Sequence, residues 1–377
     1  MDFSLNEEQS MLKESVVQYI DKSYDFESRM KVVESDAPYS IEKWREFAEL
    51  GWLSLPFDVE DDGFGGGAVE TMLLMQELGR GLVIEPYLAA IILAGGCIRR
   101  STNTALKQRL LPLIMSGEHV SALAFSERHA RFALHHVGVS ATADGDRYRL
   151  NGEKFVVLNG ATADSVIVSA RTAGEINDRT GIALFYVDTS QAGVHRDGFK
   201  TVDGAHGAHV RFDNVEVQEG DRLSGPEDGL AILEPVILEA TLAASAEALG
   251  IMDALTQKTV EYTKNRQQFG VPLSSFQALQ HRMVDMFMAL EQSRSLLLRA
   301  AILLDEKNPE ADEAIAALKY YIGTEGRKLG EEAVQLHGGM GVSNEVDVAH
   351  LFKRLTLIDS LFGNADYQLN QYIERTT

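Results

Sequence analysis

At 377 residues, 45% of them hydrophobic, the chain is too long for one ordinary domain and can support two or three, each with its own core. Its 56 Asp and Glu outnumber 35 Lys and Arg, and the net charge of -21 repels phosphate backbones and anionic bilayers, which argues against nucleic acid and membrane surfaces as partners. The single Cys97 excludes an internal disulfide. No charged-then-apolar leader opens the chain, and no apolar run approaches the roughly 20 residues of a bilayer span, so a cytoplasmic protein without membrane insertion is expected.

In chain order, Ser4-Leu-Asn-Glu7 matches a capping box, and Leu12, Val16, Tyr19 and Ile20 follow at helical spacing. Residues 41–50 and 68–78 predict two more helices, joined by a connection that includes Asp61-Asp-Gly-Phe-Gly-Gly-Gly67. No Lys-Ser/Thr follows these glycines, so they read as a flexible turn rather than a phosphate loop. Residues 87–98 and 105–115 extend the pattern, and a helical domain is expected over residues 1–118. From Ser121 the periodicity changes. Residues 147–158 carry an Asn151-Gly152 hairpin signal, and 165–170, 181–187 and 209–217 are short apolar runs between turn residues, which predicts a β domain over 119–224. Helix resumes near Gly229, with Pro235 in an early turn, and a helical domain is expected over 225–377.

Within that last segment, residues 261–285 join two helical runs through a Gly- and Pro-marked turn that collects Arg266, Gln268, Phe269, Phe276, Gln277 and His281. Gly270 suits the end of the first helix. Ser274 or Ser275 suits the cap of the second, whose N-terminus favours an anion. A lone RxxF is ordinarily a solvated Arg and a core Phe, but RxxFGxPxxxFQAxQH is far more specific, and Gln335-Leu-His-Gly-Gly-Met-Gly341 adds a second string in the right order. Together they resemble the fingerprint of the acyl-CoA dehydrogenases, and the resemblance covers essentially the whole chain.

That resemblance implies an α+β architecture: an N-terminal helical domain, a middle β domain and a C-terminal four-helix bundle. It implies FAD as cofactor, an acyl-CoA substrate, an electron-transfer acceptor and a homo- or hetero-oligomer. In the family the Arg266 turn reaches the FAD diphosphate of a neighbouring subunit, and the segment holding Gln335, Gly338 and Gly339 meets the other end of the dinucleotide. Local basic patches around Arg266, Arg282 and Lys353-Arg354 are expected to work against the acidic field.

The chain also departs from the family. The strand that ends in Thr-Glu-Pro beside the flavin and thioester reads Phe125-Ser126-Glu127-Arg128 here. Ser126 keeps a hydroxyl, while Arg128-His-Ala-Arg-Phe132 replaces the proline and the small-residue loop. The signature KxWxTNG appears as Lys154 to Gly160, with Val156 at the Trp and Leu158 at the Thr; as plain sheet residues both would face the core. Phe125, Ser126, Val156 and Leu158 are thus candidate cofactor contacts alongside Arg266, Gln268, Phe269, Gln277, His281, Gln335, Gly338, Gly339, Gly363 and Asn364.

Dehydrogenation next to a thioester needs a carboxylate in a dry site, where burial raises its proton affinity. The two positions at which the family places that Glu hold Phe362 and Ala240. Glu239 points about 100° away from Ala240 around a helix. Glu247, roughly 10 Å along the axis, and Asp366 remain as weak catalytic candidates. A salt bridge for the first, and a helix cap or FAD contact for the second, are the plainer roles. Within the family the pattern is similar to the small-subunit branch of the pimeloyl-CoA dehydrogenases, which implies a paralogous partner carrying the base. A homomer with relocated chemistry, or a flavoenzyme of altered chemistry, fits equally. His281 and His337 read either as nucleotide contacts or as packed histidines. His135, His136, His206 and His209 lack companions at metal-ligand spacing, so no metal is expected, and Cys97 reads as a structural thiol.

Overall fold

The computed structural model describes residues 4–225 and 228–376. Helix α1 (Glu7–Ser23) is capped by Asn6, whose side chain accepts from the Gln9 N–H at 2.8 Å while the Asn6 N–H donates to Gln9 Oε1 at 3.0 Å. The capping box therefore lies two residues beyond the expected Ser4, because Asn6 and Gln9 close the reciprocal pair and leave Glu7 and Glu8 at the positive helix end. Asn6→Ala is expected to cost about 1 kcal/mol, read from the thermal midpoint. A larger loss from Ser4→Ala would put the cap back at Ser4.

Helices α2 (Phe26–Glu34), α3 (Ile41–Glu49) and α4 (Ala68–Arg80) follow. The glycine connection before α4 is pinned rather than loose: the Gly63, Gly65 and Gly66 N–H groups donate to the Asp58, Phe57 and Leu55 carbonyls at 3.0, 2.7 and 2.8 Å. A Cβ on Gly63 would fall 2.1 Å from the Phe57 oxygen, so this close approach requires glycine. The helix expected over 87–98 is a π-helix, Leu88–Gly95, running into α5 (Gly96–Arg99), and α6 (Thr104–Met115) follows.

The strands are β1 (Ser121–Ala124), β2 (Ser140–Asp144), β3 (Arg147–Leu158), β4 (Ser165–Arg171), β5 (Ile182–Asp188), β6 (Val194–Lys200) and β7 (His206–Gln218). They form one mixed sheet in the order β1-β4-β2-β3-β7-β6, with β5 also on β4. Strand β1 runs parallel to β4, and most other pairs are antiparallel. Val139, Leu150, Val166, Val168, Phe185, Val210 and Phe212 are among the residues of its core. The expected Asn151-Gly152 hairpin is absent, since β3 runs straight through it and Asn151 pairs with Ser140. The β2–β3 turn lies at Gly145, φ 68. Asn151 instead faces a bulge in β7, where the Asn214 N–H donates to Asn151 Oδ1 at 2.9 Å.

The C-terminal half contains α7 (Gly229–Asn265), a hairpin of β8 (Gln267–Gln268) and β9 (Val271–Pro272), then α8 (Gln277–Asp305), α9 (Ala311–Tyr321), α10 (Arg327–His337), α11 (Asp347–Ser360) and α12 (Ala365–Thr376). Contrary to the sequence expectation, α7 is long and apolar enough to cross a bilayer by length and composition. However, 67% of its apolar window is buried inside the protein, as in a core helix.

The chain divides into two compact units. One comprises residues up to Lys31, Gly67–Val83 and Thr241 onward; the other comprises Val32–Gly66 and Ile84–Ala240. In the first, α4 and α7 touch backbone to backbone: a Cβ on Gly250 would lie 1.8 Å from the Gln76 oxygen, and one on Gly79 would lie 2.1 Å from the Glu247 oxygen. This crossing fixes where α7 presents Glu247. In the second, the sheet core and the Trp44, Phe47 and Trp52 cluster are buried.

Candidate functional site

The two sequence strings near the C-terminus meet in space. Tyr262, one turn before the end of α7, stacks on His337 at 4.4 Å, which brings the Arg266 hairpin to the glycines that follow α10. His337 is buried, and its Nδ1–H donates to the Ala333 carbonyl at 2.8 Å. Burial lowers its pKa, which favours the neutral form of this packed imidazole. His281 is exposed on α8.

Gly270 does not end α7, which stops at Asn265. Phe269 and Gly270, at φ 55 and 81, form the two-residue turn between β8 and β9, and a tight hairpin turn of this kind needs positive φ at both positions. Neither Ser274 nor Ser275 caps α8. Phe276 holds that position with no side-chain hydrogen bond, Ser275 donates to the Pro272 carbonyl, and Gln280 binds the Ser274 carbonyl. The N-terminus of a 29-residue helix is therefore left without a cap or an acidic residue in its first turn, and it sits beside an exposed hairpin.

Of the four cations expected to form basic patches, three have partners. Arg282 pairs with Glu332, Arg354 with Glu247, and Lys353 with Asn344. Among the described residues the Arg266 guanidinium has none. Gln268 folds onto its neighbour's carbonyl, while Gln277 and Gln335 are exposed, and Phe269 is 92% exposed at the hairpin tip. A Cβ on Gly338 or Gly339 would meet nothing within 4 Å, so their backbone faces open space. A free guanidinium, an uncapped helix N-terminus and an open glycine pair fit the diphosphate of a dinucleotide such as FAD.

The Phe362 turn lies at the start of α12. Phe362 (φ 56) and Gly363 (φ 106) reverse the chain. Gln368 Nε2 donates to the Phe362 carbonyl at 2.8 Å, and Asn364 Oδ1 accepts from the Tyr367 N–H at 3.1 Å, so Asn364 caps α12. A residue that the sequence reading overlooked holds this turn. Lys319, fully buried, donates to the Asp359 and Gly363 carbonyls at 2.9 and 3.0 Å, and burial pushes its pKa down to about 8. The only sequence signal was a lone lysine in the apolar run of α9. Asp366 is exposed in the first turn of α12.

Glu247 is nearly buried, and both of its carboxylate oxygens are taken by Arg354, at 2.6 Å from Nε and 2.8 Å from Nη2. Two-point pairing of this kind fixes the carboxylate's orientation and occupies an acceptor site on each oxygen. In the other unit, Glu239 accepts from Arg99 at 2.7 Å and from Arg100, and Ala240 is buried.

In the β unit, Lys154 on β3 is fully buried and ties its strand to β4 and to the segment that follows β1. Its Nζ donates to Glu127 Oε1 at 2.7 Å, Ser169 Oγ at 2.9 Å and the Phe125 carbonyl at 3.3 Å. Burial pushes the Lys154 pKa down to about 8. Burial alone would raise Glu127, but Lys154 and the Val139 and Gly138 N–H groups outweigh it and hold the carboxyl below its usual range. Arg171 then gathers the loops on either side. Its guanidinium donates to the carbonyls of His135, Val137, Ala173, Ile176, Asp178 and Thr180.

These contacts hold the Ser126 segment, where the Ser126 hydroxyl makes no hydrogen bond among the described residues. Leu158 is half-buried, but Val156 does not face the core as expected. It is 40% exposed at a β3 bulge, with φ 54, because the bulge turns two successive residues outward. Cys97 is buried, and burial pushes its thiol up to about 12. Among the described residues no group of three or more His, Cys, Asp or Glu is arranged to hold a metal ion.

Comparison with known proteins matches "Acyl-CoA dehydrogenase, N-terminal domain" to residues 6–118, the middle domain to 122–215 and the C-terminal domain to 227–377. The probable acyl-CoA dehydrogenase YngJ of Bacillus subtilis is 28% identical over 373 residues, 98% of this chain and 97% of its own length. Among solved structures, the ChsE4–ChsE5 complex of Mycobacterium tuberculosis superposes with a TM-score of 0.90 at 26% identity, covering 100% of this chain and 99% of that one. Butyryl-CoA dehydrogenase of Megasphaera elsdenii gives a TM-score of 0.90 at 26% identity, covering 100% of both chains.

Proposed function

This chain belongs to the acyl-CoA dehydrogenase family of FAD-dependent oxidoreductases, and from that premise we propose that it serves α,β-dehydrogenation of an acyl-CoA thioester as one subunit of a hetero-oligomer whose proton-abstracting carboxylate comes from a paralogous chain. The carrying observation is the state of Glu247, which both Arg354 bonds hold as an ion pair, while the two positions of the family's Glu hold Phe362 and Ala240. The similarity to a complex of two differently named chains, ChsE4 and ChsE5, supports the same reading.

The reaction takes a proton and a hydride from adjacent carbons, and FAD, when bound, supplies the hydride acceptor. This chain's contribution is positional and electrostatic. Arg266 and the uncapped N-terminus of α8 offer N–H donors and positive potential to a diphosphate. Gly338 and Gly339 let a nucleotide approach the backbone, and Gln277 and Gln335 add exposed amides. The Ser126 hydroxyl is a donor held in place by the Lys154 network.

The test is to purify the chain alone and with a paralogue that has Glu where this chain has Phe362 or Ala240, then titrate each anaerobically with acyl-CoA thioesters. The flavin band is expected to bleach only in the copurified oligomer. A chain that is yellow alone and bleaches would overturn the proposal. In the oligomer, Arg266→Gln is expected to weaken FAD binding about 10- to 100-fold, the loss of a charge-assisted hydrogen bond, as read by fluorescence of released FAD.

One observation favours a second, self-contained reading: the exposed Asp366 carboxylate has no partner among the described residues. If Asp366→Asn abolishes bleaching while FAD stays bound, Asp366 is the base and no partner is needed for the proton step.

A further inference from the structure

Strand β3 carries a bulge whose partner residue has an unusual share of the work. Lys154 pairs with Val210 and Val157 with Ala208, so Phe155 and Val156 together stand opposite His209 alone. Val156 adopts φ 54, a left-handed conformation that a β-branched residue keeps only when its surroundings compel it. Its N–H, displaced from the β ladder, donates to His209 Nδ1 at 3.3 Å.

The same imidazole stacks on Phe155 at 4.0 Å with 6° between the planes, and Phe199 of β6 tilts against it at 5.0 Å. The Arg128 guanidinium lies 4.4 Å from the Phe155 centroid, so it occupies the ring face that His209 leaves free. The Phe155 N–H donates to the Ser126 carbonyl at 2.7 Å, which ties the bulge to the segment after β1. An imidazole nitrogen that accepts from a backbone N–H must be unprotonated, so the ring carries its proton on Nε2.

We propose that His209 is a positioning residue for the flavin site: its imidazole holds Val156 in the strained bulge and so sets the backbone of residues 154–160. This rests on the family reading, which places that segment beside the flavin ring. Histidine suits the task because it stacks and accepts at once. Phenylalanine would keep the stack and lose the acceptor, while glutamine would keep an acceptor and lose the stack.

The first measurement is amide hydrogen exchange at Val156 in the full chain. His209→Phe is expected to speed it about tenfold, with His209→Gln in between. Val156→Gly can take the same φ without strain, so His209→Phe should lower the unfolding midpoint less in that background than in the wild type. Unchanged Val156 exchange, or equal midpoint losses in the two backgrounds, would show ordinary sheet packing and overturn the proposal.

The second measurement is FAD affinity of the copurified oligomer, expected to fall severalfold in His209→Phe, with a shifted flavin absorption band. Faster exchange with affinity and spectrum unchanged would overturn the link to the flavin. If the wild-type oligomer takes up no flavin at all, the flavin-site assignment of 154–160 fails together with the family-based reading. Loss of bleaching with flavin still bound would instead count against the proposed function alone.

Discussion

Glu247→Ala is expected to lower the free energy of unfolding by about 3–5 kcal/mol. The side chain is nearly buried on α7, and removing it takes from the Arg354 guanidinium on α11 both of the acceptors that Glu247 provides. The cost arises chiefly from losing the two-point pairing of a largely buried guanidinium. Replacing both partners with apolar residues of similar volume, Glu247→Leu with Arg354→Met, should therefore recover most of the loss, since such swaps are often close to neutral. Urea denaturation of the three proteins measures this directly. Acyl-CoA-dependent bleaching of the copurified oligomer should survive in the double variant. A double variant that folds, binds FAD and no longer bleaches would make Glu247 part of the chemistry and sink its structural role.

Arg171→Met is expected to cost at least about 4 kcal/mol and to loosen the segments 131–139 and 172–181. One guanidinium on β4 serves six backbone carbonyls, all drawn from these two loops. Without it the carbonyls must either stay unsatisfied or pull the loops open to water. Arg171→Lys should recover only part of the loss, because an ammonium offers three donors and no planar fork. Limited proteolysis should cut first within 131–139 and 172–181. Wild-type protease resistance and midpoint in Arg171→Met would show that the loops hold themselves. The consequence for function runs through Glu127, whose carboxylate binds the Gly138 and Val139 N–H groups at the far end of one of these loops.

Some local readings from sequence needed correction, and the errors share a cause. Asn151-Gly152 has the composition of a hairpin turn, but Asn151 has partners on two neighbouring strands, and the turn falls at Gly145. Gly270 has the composition of a helix end, but α7 had already stopped at Asn265, and the residue serves a two-residue hairpin. In both cases the residue type announces positive φ or a tight reversal, and only the pairing of neighbouring segments decides which reversal it is. The Ser4 box failed more simply, because two overlapping strings compete for one helix start and Asn6 with Gln9 satisfies both orphan donors.

What the sequence by itself determined is the order of helical and β segments, read from a change of period near Ser121 and back near Gly229, and the two separated strings at Arg266 and Gln335. These are local properties, written in spacing and turn chemistry, and they sufficed for the family. Tertiary structure alone decided that Tyr262 stacks on His337, that Arg354 closes on Glu247, that Lys319 grips the Phe362 turn, and that His209 holds Val156 at a strained bulge. Each is a contact between residues far apart in the chain. Its energy comes from burial and partner geometry, which periodicity does not encode.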